Sequence, residues 1–212
     1  MTRLAVLVSG RGSNLQAILD SIASGSLKAQ VALVITDNSQ AGALQLAHRH
    51  EIPSVVLSRR DFSTSAAYQD FIVNTLRENE IGFIVLAGYL KKVPEAVIHQ
   101  FYPRIVNIHP ALLPAFGGKG FYGHHVHEAV IQAGCHYSGL TIHLVTPDFD
   151  RGPVVFQYAV HVDENDTPDS LASKILVFEH RFYPVIINQL VNSRFTIQNN
   201  RVIFMEKEAN HG

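Results

Sequence analysis

Short, uniformly apolar runs separated by longer segments of helical period govern what this chain can fold into. Residues 4–8 (Leu-Ala-Val-Leu-Val), 31–35 (Val-Ala-Leu-Val-Ile), 54–57, 83–87 (Phe-Ile-Val-Leu-Ala) and 104–108 are apolar throughout or nearly so. A strand that is apolar on both faces has to be covered on both, which is the habit of parallel sheets. The covering segments lie between. Residues 14–23 carry Leu15, Ile18, Leu19 and Ile22 on one helical face, 41–50 form a second helix, and 64–79 carry Tyr68, Phe71, Ile72 and Leu76. Residues 94–101 form a fourth, with Pro94 in its first turn. The alternation predicts an α/β fold, a doubly wound and mostly parallel sheet, over residues 1–110.

The half from 111 to 212 is mixed. A Pro- and Gly-rich loop (112–123) leads to a helix at 125–133. Strands are expected at 140–145 and 154–162, the second alternating Val155, Gln157, Ala159 and His161 on one face. Residues 167–191 read as one long helix, bent at Pro184. Short strands at 195–196 and 202–204 flank Asn199-Asn200, a hairpin signal. With no repeat and no linker, 1–212 reads as a single domain.

Composition removes several classes of function. Seventeen basic against eighteen acidic residues leave no field to attract nucleic acid or an anionic membrane. The apolar run near the N-terminus is too short for a signal peptide, and no run approaches a membrane span. Cys135 is the single cysteine, so an internal disulfide is impossible and a reducing cytoplasm fits best.

Three segments can carry chemistry. Ser9-Gly10-Arg11-Gly12-Ser13-Asn14 joins the first strand to the first helix, where glycine and free helix N–H groups suit one phosphate. It lacks the third glycine of a dinucleotide fingerprint and the Lys of an NTPase loop, and an ordinary capped turn is the plain alternative. Asn107 and His109 lie on one side of the fifth strand and suit an oxyanion plus a proton transfer, or a hydrogen-bonded strand end. Asp150, in Asp148-Phe149-Asp150-Arg151-Gly152-Pro153, is placed to orient His109, or is a solvated turn residue. His124-His125-Val126-His127 lacks a further ligand at zinc spacing, so no metal is expected. Taken by itself, Glu179-His180-Arg181 reads as a solvated helix face.

Together these segments spell a family. Residues 8–17 (Val-Ser-Gly-Arg-Gly-Ser-Asn-Leu-Gln-Ala), Leu86-Ala87-Gly88-Tyr89, 107–114 (Asn-Ile-His-Pro-Ala-Leu-Leu-Pro), 143–146 and Asp150-Arg151-Gly152-Pro153 stand in its order. From Leu4 to Pro184 the chain closely resembles the folate-dependent phosphoribosylglycinamide formyltransferases, which implies their Rossmann-like formyltransferase fold. The resemblance implies that Gly12, Ser13 and Asn14 hold the substrate's phosphate and that Glu179 contacts its ribose. Asn107, His109 and Asp150 would be catalytic, with Asp150 keeping His109 charged. Leu90, Lys91, Lys92, Val93, Val145 and Asp150 would line the folate pocket. It further implies 10-formyltetrahydrofolate as cosubstrate, phosphoribosylglycinamide as acceptor and no metal; the even charge balance and single cysteine fit a cytoplasmic enzyme without nucleic-acid partners, a monomer or homodimer.

Three features depart from the pattern. Ser65 stands where many members have a folate-contacting arginine, leaving Arg59 or Arg60 as substitutes, and Lys91 stands for an arginine. The Gly117–Gly123 segment is longer and richer in glycine, and either forms a mobile flap carrying Lys119 or is a bland extended loop. The resemblance puts its Gly123-His124 end near the phosphate. Rival readings are a methionyl-tRNA formyltransferase, which would need a basic surface and a further barrel, and a formyltetrahydrofolate hydrolase with an added N-terminal domain. From another class, the chain could be a nucleotide-binding module without catalysis.

Overall fold

The computed structural model describes residues 1–205. The single-domain reading also covers 206–212, which lie outside the described residues. The first half alternates as expected: β1 (Thr2–Leu7), α1 (Ser13–Ala23), β2 (Ala29–Thr36), α2 (Gly42–Arg49), β3 (Ser54–Val56), α3 (Ser65–Glu78), β4 (Phe83–Leu86), α4 (Glu95–Phe101) and β5 (Ile105–His109). The second half adds α5 (His124–Gln132), β6 (Tyr137–Leu144), β7 (Val154–His161), α6 (Pro168–Asn192), β8 (Phe195–Gln198) and β9 (Arg201–Phe204). Pro94 stands at the N-cap of α4, just outside it.

All strands join one sheet in the order β3-β2-β1-β4-β5-β6-β7-β9-β8. β1 to β5 are mutually parallel, and β6 runs antiparallel to both β5 and β7. Period-two alternation in β1 divides the core. Leu4 and Val6 pack with α1, α2, α5 and α6, while Ala5 and Leu7 pack with α3 and α4 on the other face.

The chain leaves β1 for β2 on one side and returns to β4 on the other, so strand order reverses between β1 and β4. Crevices at such points are where open α/β sheets bind ligands. α6 closes over this region. It starts at a reciprocal cap between Thr167 and Ser170 and runs for 25 residues through Pro184. Its buried Tyr183 donates to the carbonyls of Leu86 (2.8 Å), the last residue of β4, and Val106 (3.2 Å), within β5.

Candidate active site

A cleft of about 820 Å3 opens at the carboxyl ends of β1, β4, β5 and β6, within the size range of ligand sites. Near β1 it is built by the turn into α1. Gly12 is the N-cap of α1 with φ 86, and a Cβ there would stand 2.9 Å from Leu46 Cδ1 and 3.1 Å from Ala43 Cα. The backbone can take this left-handed path only with glycine. Gln16 N makes the first intrahelical bond, to the Gly12 carbonyl, so the N–H groups of Ser13, Asn14 and Leu15 precede it. Arg11, Ser13 and Asn14 face the cleft, and Gly12 lies behind its wall.

The Asn14 side chain goes to protein: its Nδ2 donates to Glu179 Oε2 at 2.8 Å. Glu179 is 7% exposed, which corrects its residue-by-residue reading as part of a solvated face. Burial pushes its carboxyl up to about 7, against the pull of the Asn14 bond.

At β5 the expected residues meet. Asn107 and His109 both line the cleft, and Asp150 arrives from the loop after β6. His109 Nε2 donates to the Phe116 carbonyl at 2.8 Å, which leaves Nδ1 facing Asp150 Oδ2 at 3.8 Å, beyond hydrogen-bond length. Gly118 N–H donates to the same Oδ2 at 2.9 Å. Asp150 and Phe116 both hold left-handed backbone, at φ 53 and 52, an uncommon state that tends to gather at working sites. The Asp150 loop is pressed onto β6: a Cβ on Gly152 would lie 1.8 Å from the Leu144 carbonyl oxygen. Behind the cleft, Thr141 of β6 secures the segment that follows β5, donating to the Ala111 carbonyl at 2.7 Å while accepting from Leu113 N at 3.0 Å.

The structure adds a fourth member. His143, 2% exposed, is the register partner of Asn107 across β5 and β6. Its Nδ1 donates to the Leu144 carbonyl at 2.9 Å, so in the neutral ring Nε2 accepts from Asn107 Nδ2 at 3.1 Å. Nε2 also lies 3.5 Å from Asp150 Oδ1. One signal in the sequence could have marked it: an imidazole inside an apolar strand needs buried partners.

Burial lowers the His109 pKa below its ordinary 6.5, with Asp150 and the Phe116 carbonyl pulling the other way. The ring is therefore neutral at rest near pH 7, where the resemblance had implied a charged one. For Asp150 burial acts upward, but His143, His109 and the Gly118 N–H outweigh it and hold the carboxylate low.

Leu90, Lys91, Lys92, Val93 and Val145 line the cleft beside this cluster. Val93 and Val145 are buried and Leu90 is exposed, while Lys91 reaches Asp37 at 3.7 Å and Lys92 reaches Glu95 at 3.3 Å. Ser9 Oγ ties this turn to the end of β1, donating to Asp37 at 2.5 Å and accepting from Leu90 N at 2.9 Å. Ser65 opens α3 away from the cleft wall, and neither Arg59 nor Arg60 reaches that wall; Arg59 donates to the Phe62 carbonyl instead. The segment from Gly118 to Gly123, with Lys119, lines the cleft.

His124 and His127 also face it. His124 pairs with Glu128 (3.5 Å) and Asp169 (3.6 Å). His127 is buried, and burial followed by the charges of His124 and His109 pushes its pKa down to about 4. Among the described residues no group of three or more His, Cys, Asp or Glu is placed to hold a metal.

A parallel sheet open at its switch point, with a bare helix end on one side and an amide–imidazole–carboxylate cluster on the other, defines a group-transfer site for a phosphorylated small molecule. The sequence pattern of the formyl transferase family matches residues 2–187, and the chain belongs to that family. It is 40% identical to the chloroplastic phosphoribosylglycinamide formyltransferase of Arabidopsis thaliana, over 98% of this chain and 72% of that protein. It is 35% identical to the phosphoribosylglycinamide formyltransferase of Bacillus subtilis, over 90% of this chain and 95% of that one. The crystal structure of glycinamide ribonucleotide transformylase 1 from Symbiobacterium toebii superposes with a TM-score of 0.90 at 35% identity, covering 97% and 95% of the two chains.

Proposed function

We propose that the cleft transfers the formyl group of 10-formyltetrahydrofolate to the amine of 5-phosphoribosylglycinamide, and that Asn107, His109 and Asp150 perform the transfer. The products are formylglycinamide ribonucleotide and tetrahydrofolate, and the step belongs to de novo purine biosynthesis. One observation carries the assignment of residues. Asn107, His109 and Asp150 converge from two segments, with His143 between them, on a cleft that also contains the bare end of α1 and Glu179.

The N–H groups at the start of α1, with Gly12 shaping the turn and Ser13 on the wall, take the phosphate. Glu179 accepts from the ribose. The folate lies along Leu90, Lys91, Lys92, Val93 and Val145, with its formyl group at Asn107. The amine nitrogen attacks the formyl carbon, and the carbonyl electron pair moves onto oxygen. Asn107, with one amide hydrogen held by His143, points the other at this oxygen. His109 exchanges the Phe116 carbonyl for the oxyanion as acceptor of its Nε2–H, and takes up at Nδ1, through water, the proton shed by the attacking amine, so it carries positive charge only until that proton passes on to the folate nitrogen. Asp150 stabilises that charge from the Nδ1 side. As the tetrahedral centre collapses, the carbon–N10 bond breaks, and the proton shed by the amine ends on the folate nitrogen. The reaction exchanges one amine for another on a formyl carbon, and the folate is consumed as a cosubstrate.

An absorbance assay with 10-formyldideazafolate and glycinamide ribonucleotide, with a no-ribonucleotide control, tests this reading. Ribonucleotide-dependent turnover supports it. Turnover without ribonucleotide makes the chain a hydrolase, and binding of ribonucleotide without turnover makes it a binding module.

No helix among the described residues is long and apolar enough to cross a membrane. With its even charge balance, the chain fits a cytoplasmic enzyme of small molecules, a monomer or homodimer without nucleic-acid or membrane partners. Light scattering on the purified chain decides between the two assemblies.

A further inference from the structure

Asn14 sits at the second position of α1, where a side-chain amide would be expected to reach the anion. It turns instead toward α6. The Asn14–Glu179 hydrogen bond joins residues 165 positions apart, and both side chains are more than nine-tenths buried. Asn14 Oδ1 is buried without a partner, so Glu179 is the group this amide serves among the described residues. This stretch of α6 is itself fixed: one turn further on, the Tyr183 hydroxyl donates to the carbonyls of Leu86 in β4 and Val106 in β5.

We propose that Asn14 is a positioning residue for the ribose: it acts on the ribonucleotide through Glu179, holding that carboxylate as a fixed acceptor and coupling it to the anion-binding end of α1. The inference rests on the reading of Glu179 as the ribose contact. A carboxylate accepts two hydroxyls, whereas a carboxylic acid has lost one acceptor position to its own proton. Burial drives Glu179 toward the acid, and the Asn14 Nδ2 opposes that drive. Other ionisable groups face the same region. The Glu179 charge acts on Tyr183, the Asp20 charge on His180, and His124 and His109 on His127, while His124 pairs with Asp169.

The test uses the full chain and two readouts. Carbon-13 labelling of glutamate side chains follows Glu179 by NMR titration without ligand, the signal being assigned by its loss in Glu179→Gln. Steady-state kinetics give KM for the ribonucleotide and kcat across pH. In Asn14→Ala the Glu179 titration moves to higher pH. KM near neutral pH rises about tenfold, as expected for a lost bond to a charged group, and recovers as pH rises past the titration. At saturating ribonucleotide kcat stays within about twofold, because the reacting atoms are untouched. Asn14→Asp, of the same shape, serves if the alanine variant does not fold, and moves the titration further in the same direction. An unmoved Glu179 titration, or a KM raised equally at every pH, overturns the coupling. A Glu179→Gln variant with unchanged KM overturns the ribose contact itself.

Discussion

Replacing Asp150 with asparagine would remove one negative charge from the site and leave its shape. Asparagine tolerates the left-handed backbone at this position (φ 53), and its Oδ1 can still accept the Gly118 N–H. What disappears is the field on His109, whose Nδ1 lies 3.8 Å from Oδ2. With an effective dielectric constant of about 20, a unit charge at that distance favours the imidazolium by about 4 kcal/mol. At ~1.4 kcal/mol per factor of ten, this is roughly three orders of magnitude in rate. His109 is neutral at rest, so the interaction reaches full strength only while the ring holds the proton shed by the attacking amine. The loss should therefore fall on kcat, with KM for both substrates nearly unchanged. Purified Asp150→Asn in the formyldideazafolate assay, at saturating substrates, reads the effect directly. Its thermal midpoint near neutral pH should fall, since the fold holds the Asp150 carboxylate below its ordinary range and the charge therefore contributes to stability. A kcat within about tenfold of the parent, or a loss confined to KM, would refute the charge argument.

Gly152→Ala places a methyl 1.8 Å from the Leu144 carbonyl oxygen, so the loop carrying Asp150 must shift. We expect kcat to fall at least about tenfold while the circular dichroism spectrum is retained, and a normal rate would show that the loop position is irrelevant. Gly12→Ala forces a left-handed alanine against Ala43 and should raise KM for the ribonucleotide, with a stability cost of about 1–3 kcal/mol in urea unfolding. The Glu179 carboxyl is raised in the fold from 4.5 to about 7, so the folded state holds a proton that the unfolded chain releases. Stability from this group is whole below 4.5 and is lost as pH rises to about 7. Glu179→Gln should therefore match the parent in acid melts and exceed it above neutrality; equal midpoints at both ends would contradict the buried-acid picture.

Much of the fold was legible because its strands are apolar on both faces. Residues 83–87 needed no partner information to be read as a buried strand, and β4 spans Phe83–Leu86. Boundaries set by backbone were less legible. β6 begins at Tyr137, not at 140, because Ser138 and Gly139 extend the ladder with β7 without an apolar signature. That Asn107, His109 and Asp150 meet at one cleft was legible from their side-chain types and positions. His143 shows in the sequence only as an imidazole in an apolar strand; its pairing with Asn107 arises across an antiparallel register that periodicity does not reveal. The same holds for Phe116 and Gly118, which act on His109 and Asp150 through backbone atoms that every residue possesses. Asn14 was legible in place but not in direction, since its partner lies on the last long helix.

The order of strands also sets a length. The turn proposed to hold the phosphate follows β1, and Asn107 and His109 lie toward the end of β5, with β4 alone between them. Neighbouring strands stand roughly 4.8 Å apart, so the two chemical ends of the site are about 10 Å apart across the sheet. Backbone hydrogen bonds fix that interval, and no side-chain adjustment can stretch it. The sheet thus acts as a gauge for the acceptor: a molecule anchored by its phosphate presents its amine to the formyl carbon only if its own span matches. An acceptor shortened by removal of the sugar would seat its phosphate and still fail to reach, however high its concentration.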